Sequence, residues 1–218
     1  MQSLSNISNN VATYYEQLQA VIADLDAKKI ARVIEVLLEA NERGSTIFLF
    51  GNGGSAATAT HFANDLAKGC LVEGCNRLRA ISLTDNVALI TALANDTGYE
   101  NIFSSQLESL ICSGDIVIGI SGSGNSPNVL KGMQVAREAG AYTIGFCGFG
   151  GGKLRGMVDL DLTSGCLNMQ QVEDLHMTLC HCIATGIVQA LSNTQSQLFL
   201  PVRLPQTKKT GSNQPVVI

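Results

Sequence analysis

Five short apolar runs, with helical patterns between most of them, constrain this chain more than any other feature. They are Thr46 to Phe50 (TIFLF), Arg79 to Leu83 (RAISL), Asp115 to Ile120 (DIVIGI), Tyr142 to Cys147 (YTIGFC) and Val158 to Thr163 (VDLDLT). A strand that is wet on one face alternates apolar and polar residues. Most of these runs do not, so they read as strands covered on both faces. Helical periodicity occupies Ala56 to Lys68, Glu100 to Cys112, Pro127 to Glu138 and a long stretch from about Gln170 to Leu191. Strands that alternate with helices predict the α/β class, with a doubly wound parallel sheet of five strands.

Two helices are predicted ahead of the first strand. Ile7, Val11, Tyr14, Leu18, Val21 and Leu25 recur at gaps of four and three, which is a heptad seam. The seam is too short for a free coiled coil, so it packs either on its own domain or on a neighbouring subunit. The second helix gathers Ile30, Val33, Ile34, Leu37 and Leu38 on one face, and Gly44 is placed to end it in a left-handed cap. Periodicity fades after about Asn193. We expect a single domain over 1–195 and a polar tail over 196–218 that is a strap or disordered, its Arg203, Lys208 and Lys209 being solvated charges.

Composition narrows the partners. Only 15% of the residues are charged, against ~25% in an average soluble domain. Charged side chains this scarce point to a surface partly covered by other subunits, although a surface rich in Ser, Asn, Gln and Gly reads the same way. A net charge of −4 provides no broad basic field for a nucleic-acid backbone. No uninterrupted apolar run approaches the ~18 residues of a membrane span, and Met1-Gln2-Ser3-Leu4 opens without a charged or apolar signal region. Seven cysteines, an odd count with no CxxC pair, read as buried free thiols in a cytoplasmic protein.

Two glycine–serine turns carry the chemistry. Gly51-Asn52-Gly53-Gly54-Ser55 follows the first strand and opens a helix, where close backbone approach and unpaired N–H groups favour an anion. Gly51, Gly53 and Ala56 formally satisfy the dinucleotide pattern G-x-G-x-x-A. The acidic residue that reading needs about 20 positions on would be Asp85, which comes 34 residues after Gly51 and lies past its strand. That is a poor fit, and no Gly-Lys-Ser/Thr of a Walker loop occurs. The second turn, Ser121-Gly122-Ser123-Gly124-Asn125-Ser126-Pro127, follows the third strand. Pro127 suits the first helical position and Ser126 the N-cap. A well-capped helix needs no more than Ser126-Pro127. Ser121, Ser123, Asn125 and two glycines besides suit the terminal phosphate of a small molecule.

All three histidines fall on two helices. His61 and Asp65 are four apart and share a face, while Glu173, His176 and His181 lie on the last helix. Zinc takes such nitrogen and oxygen ligands. Against this, Glu173 and His181 are eight residues apart, about 12 Å of rise on a regular helix. Spacing alone leaves metal binding open.

Four segments, GNGGSAATATHFANDL, ITALANDTGYENIF, GISGSGNSPNV and QVEDLHMTLCH, together resemble the sugar isomerase (SIS) family in order and spacing, and most closely its phosphoheptose isomerases. The resemblance runs from the N-terminal helices to about residue 192. It implies a flavodoxin-like five-stranded fold whose N-terminal helices build a cytoplasmic homotetramer. It implies an aldose–ketose isomerase acting on sedoheptulose 7-phosphate, commonly with zinc. Carried onto this chain, Ser121, Ser123 and Ser126 would hold the phosphate. Asn52 and Ser55, with Gly53 and Gly54 of the same turn, would line the sugar, and Asp96 would contact its hydroxyls. His61 and His181 would be metal ligands, with His181 also an acid/base partner.

The chain departs from that family where chemistry occurs. Asp65 stands where the heptose isomerases usually have Glu, Glu173 where they have Gln, and Gln170 where an Asp often precedes. We expect the two carboxylates to exchange duties in part, so that Asp65, Glu173 and His181 form the catalytic set and His61, Asp65, Glu173 and His181 the metal set. The competing expectations are a non-catalytic SIS protein that regulates replication through protein contacts, and a phosphosugar sensor. A pure scaffold needs none of those four residues, and a sensor would ordinarily bring a DNA-binding domain.

Overall fold

A computed structural model describes residues 4–193. The predicted tail over 196–218 lies outside the described residues. Two helices come first, α1 (Leu4–Ala23) and α2 (Ala27–Arg43). The alternating part follows: β1 (Thr46–Gly51), α3 (Gly54–Asn64), β2 (Arg79–Ser82), α4 (Val87–Thr97), α5 (Ser104–Leu110), β3 (Ile116–Ser121), α6 (Pro127–Glu138), β4 (Tyr142–Cys147), β5 (Leu160–Thr163) and α7 (Met169–Asn193). The strands form one parallel sheet in the order β2-β1-β3-β4-β5. This is the doubly wound α/β architecture expected from the sequence.

Covering both faces explains the unbroken apolar runs. On one face Ile47, Leu49, Ile118, Ile120, Ile144 and Phe146 pack beneath α2, α3 and α7, which contribute Leu37, Phe62, Leu175, Leu179 and Ile183. On the other, Phe48, Phe50 and Val117 meet Phe103, Leu107, Val129 and Met133 from α5, α6 and the turn before α5. Every residue of β1 and β3, neighbours in the interior of the sheet, is buried. Helix α7 is long and apolar enough to cross a membrane by length and composition. Its buried face is nevertheless part of this core.

Boundaries shift where a side chain takes on another task. Asp115, read as the start of the third strand, instead accepts the backbone N–H groups of Thr46 and Cys112, each at 2.8 Å. It thereby fastens the starts of β1 and β3 together. Gly44 caps α2 at φ 71° as predicted, and Asp26 caps its start by accepting from the N–H groups of Lys28 and Lys29. The fifth strand is shorter than its sequence pattern, beginning at Leu160 rather than Val158. The helix expected over Glu100 to Cys112 is a 3-10 turn at Tyr99–Asn101 followed by α5.

One helix lay outside the sequence reading. Helix α4, VALITALANDT, buries none of its residues. Its apolar residues form no stripe against a polar face, so no helical period marks it. The heptad seam of α1 is divided. Val21 and Leu25 pack against the core, whereas Ile7 and Val11 are exposed. Tyr14 ties the middle of α1 to α7 through a 2.5 Å hydrogen bond from its hydroxyl to Asp174 Oδ2.

Candidate active site

Strand order reverses between β1 and β3, and in sheets of this kind ligands bind outside the carboxyl ends of the strands at such a reversal. Both glycine–serine turns start there, since Gly51 at the end of β1 pairs in register with Ile120 of β3. The sequence therefore delivers its two anion-suited loops side by side. Gly53 turns into α3 with φ 54° and ψ −121°, a conformation open to glycine and costly for other residues.

In the serine turn, Ser121 is buried, and its Oγ accepts the Gly124 N–H at 3.1 Å. Ser126 occupies the N-cap and Pro127 the first turn of α6, as the sequence suggests, but the Ser126 hydroxyl makes no capping bond. It lies 3.2 Å from Ser121 Oγ instead, so the two hydroxyls face each other. Ser123 Oγ accepts the N–H of Asn125 at 3.2 Å. Asn125 is committed to the loops: its Nδ2 donates to Ser123 O at 2.9 Å and its Oδ1 accepts the Lys153 N–H at 3.1 Å. Its amide braces the turn.

Two residues that the sequence reading missed, Asn128 and Tyr99, join the turns through Asn52. Asn52 and Asn128 exchange amide hydrogen bonds in both directions, each 2.8 Å long. Asn128 is 1% exposed and also accepts the Val129 N–H at 2.9 Å. Tyr99 donates its hydroxyl to Asn52 Oδ1 at 2.9 Å. No local pattern marks these partners, which lie 76 and 47 residues apart in sequence. Asp96, expected to touch the sugar, stands exposed near the end of α4, three residues before Tyr99, with Oδ1 accepting from Asn95 Nδ2 at 2.7 Å.

The histidines converge. His61 Nε2 lies 2.9 Å from His181 Nε2, and Asp65 Oδ2 lies 3.3 Å from the first and 3.8 Å from the second. One ligand atom from each residue can be chosen so that all three lie within 4.8 Å of one another. Two imidazoles and a carboxylate crowding one point are a donor set for a borderline-soft divalent cation, so these residues fit such an ion. Just beyond His61, α3 widens into a π turn over Asp65–Gly69, closed by the Cys70 N–H on the Asp65 carbonyl at 2.8 Å. Such widenings re-aim side chains and recur at functional sites.

Glu173, expected as the fourth ligand, is not in that cluster. The reason is the spacing already noted. Helices α3 and α7 run side by side in the same direction, so His181 lies beside His61 while Glu173, about 12 Å back along the helix, lies beside Gly54. His176 faces the core instead. It is 1% exposed, its ring centroid lies 6.1 Å from that of Phe146, and neither ring nitrogen makes a well-formed hydrogen bond. Burial pushes its imidazole down to about 4, with the Cys147 backbone working weakly the other way.

Known proteins share this fold and much of this sequence. The SIS domain family matches residues 13–148. The phosphoheptose isomerase of Trichlorobacter lovleyi is 40% identical over 191 residues, covering 88% of this chain and 95% of that protein. That of Geotalea uraniireducens is 39% identical over 180 residues, or 83% of this chain and 94% of the relative. Among solved structures, phosphoheptose isomerase from Neisseria gonorrhoeae superposes with a TM-score of 0.78 at 28% identity, covering 84% of this chain and 99% of that one. The enzyme from Francisella tularensis gives 0.77 at 30% identity, covering 87% and 100%. The chain belongs to the SIS domain family and, within it, to the phosphoheptose isomerases.

Proposed function

We propose that the chain is a sugar-phosphate isomerase that converts sedoheptulose 7-phosphate into the corresponding aldose, D-glycero-D-manno-heptose 7-phosphate. The observation that carries this reading is the meeting of His61, Asp65 and His181 beside the crevice where two anion-suited turns open. A phosphosugar sensor needs the turns alone, and a protein-contact regulator needs neither.

The chemistry follows from the parts. Ser121, Ser123 and Ser126 offer hydroxyls to the phosphate, and the N-terminus of α6 adds a favourable dipole. Asn52 and Ser55, with Gly53 and Gly54, line the sugar chain, and Asp96 meets its outer hydroxyls. Isomerisation takes a proton from C1 of the ketose while the C2 carbonyl becomes the enediol oxygen. Returning a proton to C2 and releasing the one on O1 then yields the aldehyde. A base must therefore stand over one face of the C1–C2 unit, and a second group must offset charge at oxygen. His181 suits proton exchange with that oxygen. Zinc held by His61, Asp65 and His181 would polarise it when bound.

The reading extends to the whole assembly. We take 1–195 as one catalytic domain and the protein as a cytoplasmic homotetramer built on the N-terminal helices. Seven unpaired thiols suit a reducing compartment. The test is incubation of the zinc-loaded protein with sedoheptulose 7-phosphate, with and without a chelator, followed by NMR. The expected result is aldose phosphate that disappears when metal is stripped; no product with metal present would remove the reading.

A further inference from the structure

The two carboxylates of the site are set in different surroundings. Asp65 sits against both imidazoles. Glu173 sits at the first turn of α3, where a Cβ built on Gly54 would lie 2.5 Å from its carboxylate carbon and 2.5 Å from Oε2. Real atoms do not approach so closely, so the Glu173 side chain fills the space that a side chain at 54 would need. Gly54 is helical, so its backbone does not require glycine. A methyl group there would instead have to push the Glu173 carboxylate out of its place.

We propose that Glu173 is the proton-transferring base and not a metal ligand, with Gly54 the positioning residue that seats it. This rests on the isomerase reading above and decides between its two carboxylates. Glu173 is half-buried beside the glycine turn. On the same helix, Val172 packs against Gly122 of the serine turn, within 3.7 Å of where a Cβ there would lie. The carboxylate therefore stands along α7 between the phosphate turn and the histidines, against the part of the crevice that a sugar chain anchored at Ser121 and Ser126 must cross.

The proton balance is simple. Glu173 takes one hydrogen from C1 as a proton, the C1–H electron pair becomes the C1–C2 double bond, and the C2–O π pair moves onto O2, which takes up the proton that O1 gives up when C1 becomes the aldehyde carbon. The same carboxyl returns a proton to C2. No oxidant or external acid is consumed. Asp65 is left to the imidazoles, where a shorter arm from the adjacent turn of α3 suffices.

The test measures metal and chemistry separately. Zinc per chain is determined by elemental analysis after loading and dialysis. Hydrogen exchange at C1 is followed by NMR in deuterated water with sedoheptulose 7-phosphate. E173Q should keep the zinc of the wild type and lose at least a hundredfold in both exchange and turnover, within the usual contribution of a general base. D65N and H181A should lose zinc. G54A should keep zinc and melting temperature but lose about tenfold or more in kcat, and shortening the displaced side chain in G54A/E173D should recover part of that loss. A merely structural Gly54 would show no such rescue. Loss of zinc in E173Q, or wild-type exchange in E173Q, overturns the assignment while leaving the isomerase reading intact. A zinc-loaded wild type that neither exchanges C1 hydrogen nor forms product overturns both.

Discussion

His176 has no part in the chemistry above, yet its imidazole is strongly perturbed. Burial inside the core disfavours its charged form, and its pKa falls from 6.5 to about 4. In the unfolded chain the same group takes up a proton near its ordinary value. A folded pKa below the unfolded one means that stability is complete above pH 6.5 and is lost progressively as pH falls toward 4. At 1.36 kcal/mol per unit, that shift corresponds to about 3 kcal/mol over the full window. Roughly 2 kcal/mol of it is lost between pH 7 and pH 5. Urea titrations of the wild type and H176L at those two pH values would check this. The variant's stability should change less between them, by about that amount, and parallel behaviour would show that His176 does not titrate on unfolding.

The elements around the crevice depend on pairings that no single segment encodes. Asn52 from the β1 turn and Asn128 from α6 satisfy one another, and Asn128 also accepts from its own helix. N128A would leave the Asn52 Nδ2 group and the buried Val129 N–H without their acceptor, at about 1–3 kcal/mol for an unmatched buried group. The two turns would then lose their shared spacing. We expect a lower melting temperature together with a raised KM for the sugar phosphate; a melting change alone would make the pair a fold element only. This contrast defines what the sequence could disclose. The strands β1, β3 and β4 are legible because double-sided burial writes itself as continuous apolar residues. The serine turn is legible because its hydroxyls are consecutive. The Asn52–Asn128–Tyr99 link is not, since each partner is ordinary in its own segment. The separation of Glu173 from the histidines was visible as an eight-residue gap, but its seat against Gly54 depends on how α3 and α7 align.

At the scale of the whole molecule, the shortage of charge and the open apolar surfaces are one fact. The first half of α1 exposes Leu4, Ile7, Val11 and Tyr15 at 85, 49, 52 and 65%, and α4 exposes Val87 and Leu89 at 67 and 39%. An apolar side chain moved from water into an interface contributes about 1.5–3 kcal/mol, so covering these six would outweigh the modest cost of ordering already helical segments. The α1 seam supports this, because its later residues meet the core of their own domain while its earlier ones stand exposed among the described residues. A charge placed there would have to be buried without a partner, which is far costlier than leaving it in water. V11E and V87E each change one exposed residue and no internal contact of the core. In light scattering coupled to gel filtration, we expect the wild type at the mass of four chains and each variant at two chains or one, with the helical content of the subunit preserved. A wild type that runs as a monomer, or variants that keep the tetramer mass, would mean these helices face something other than further copies of the chain.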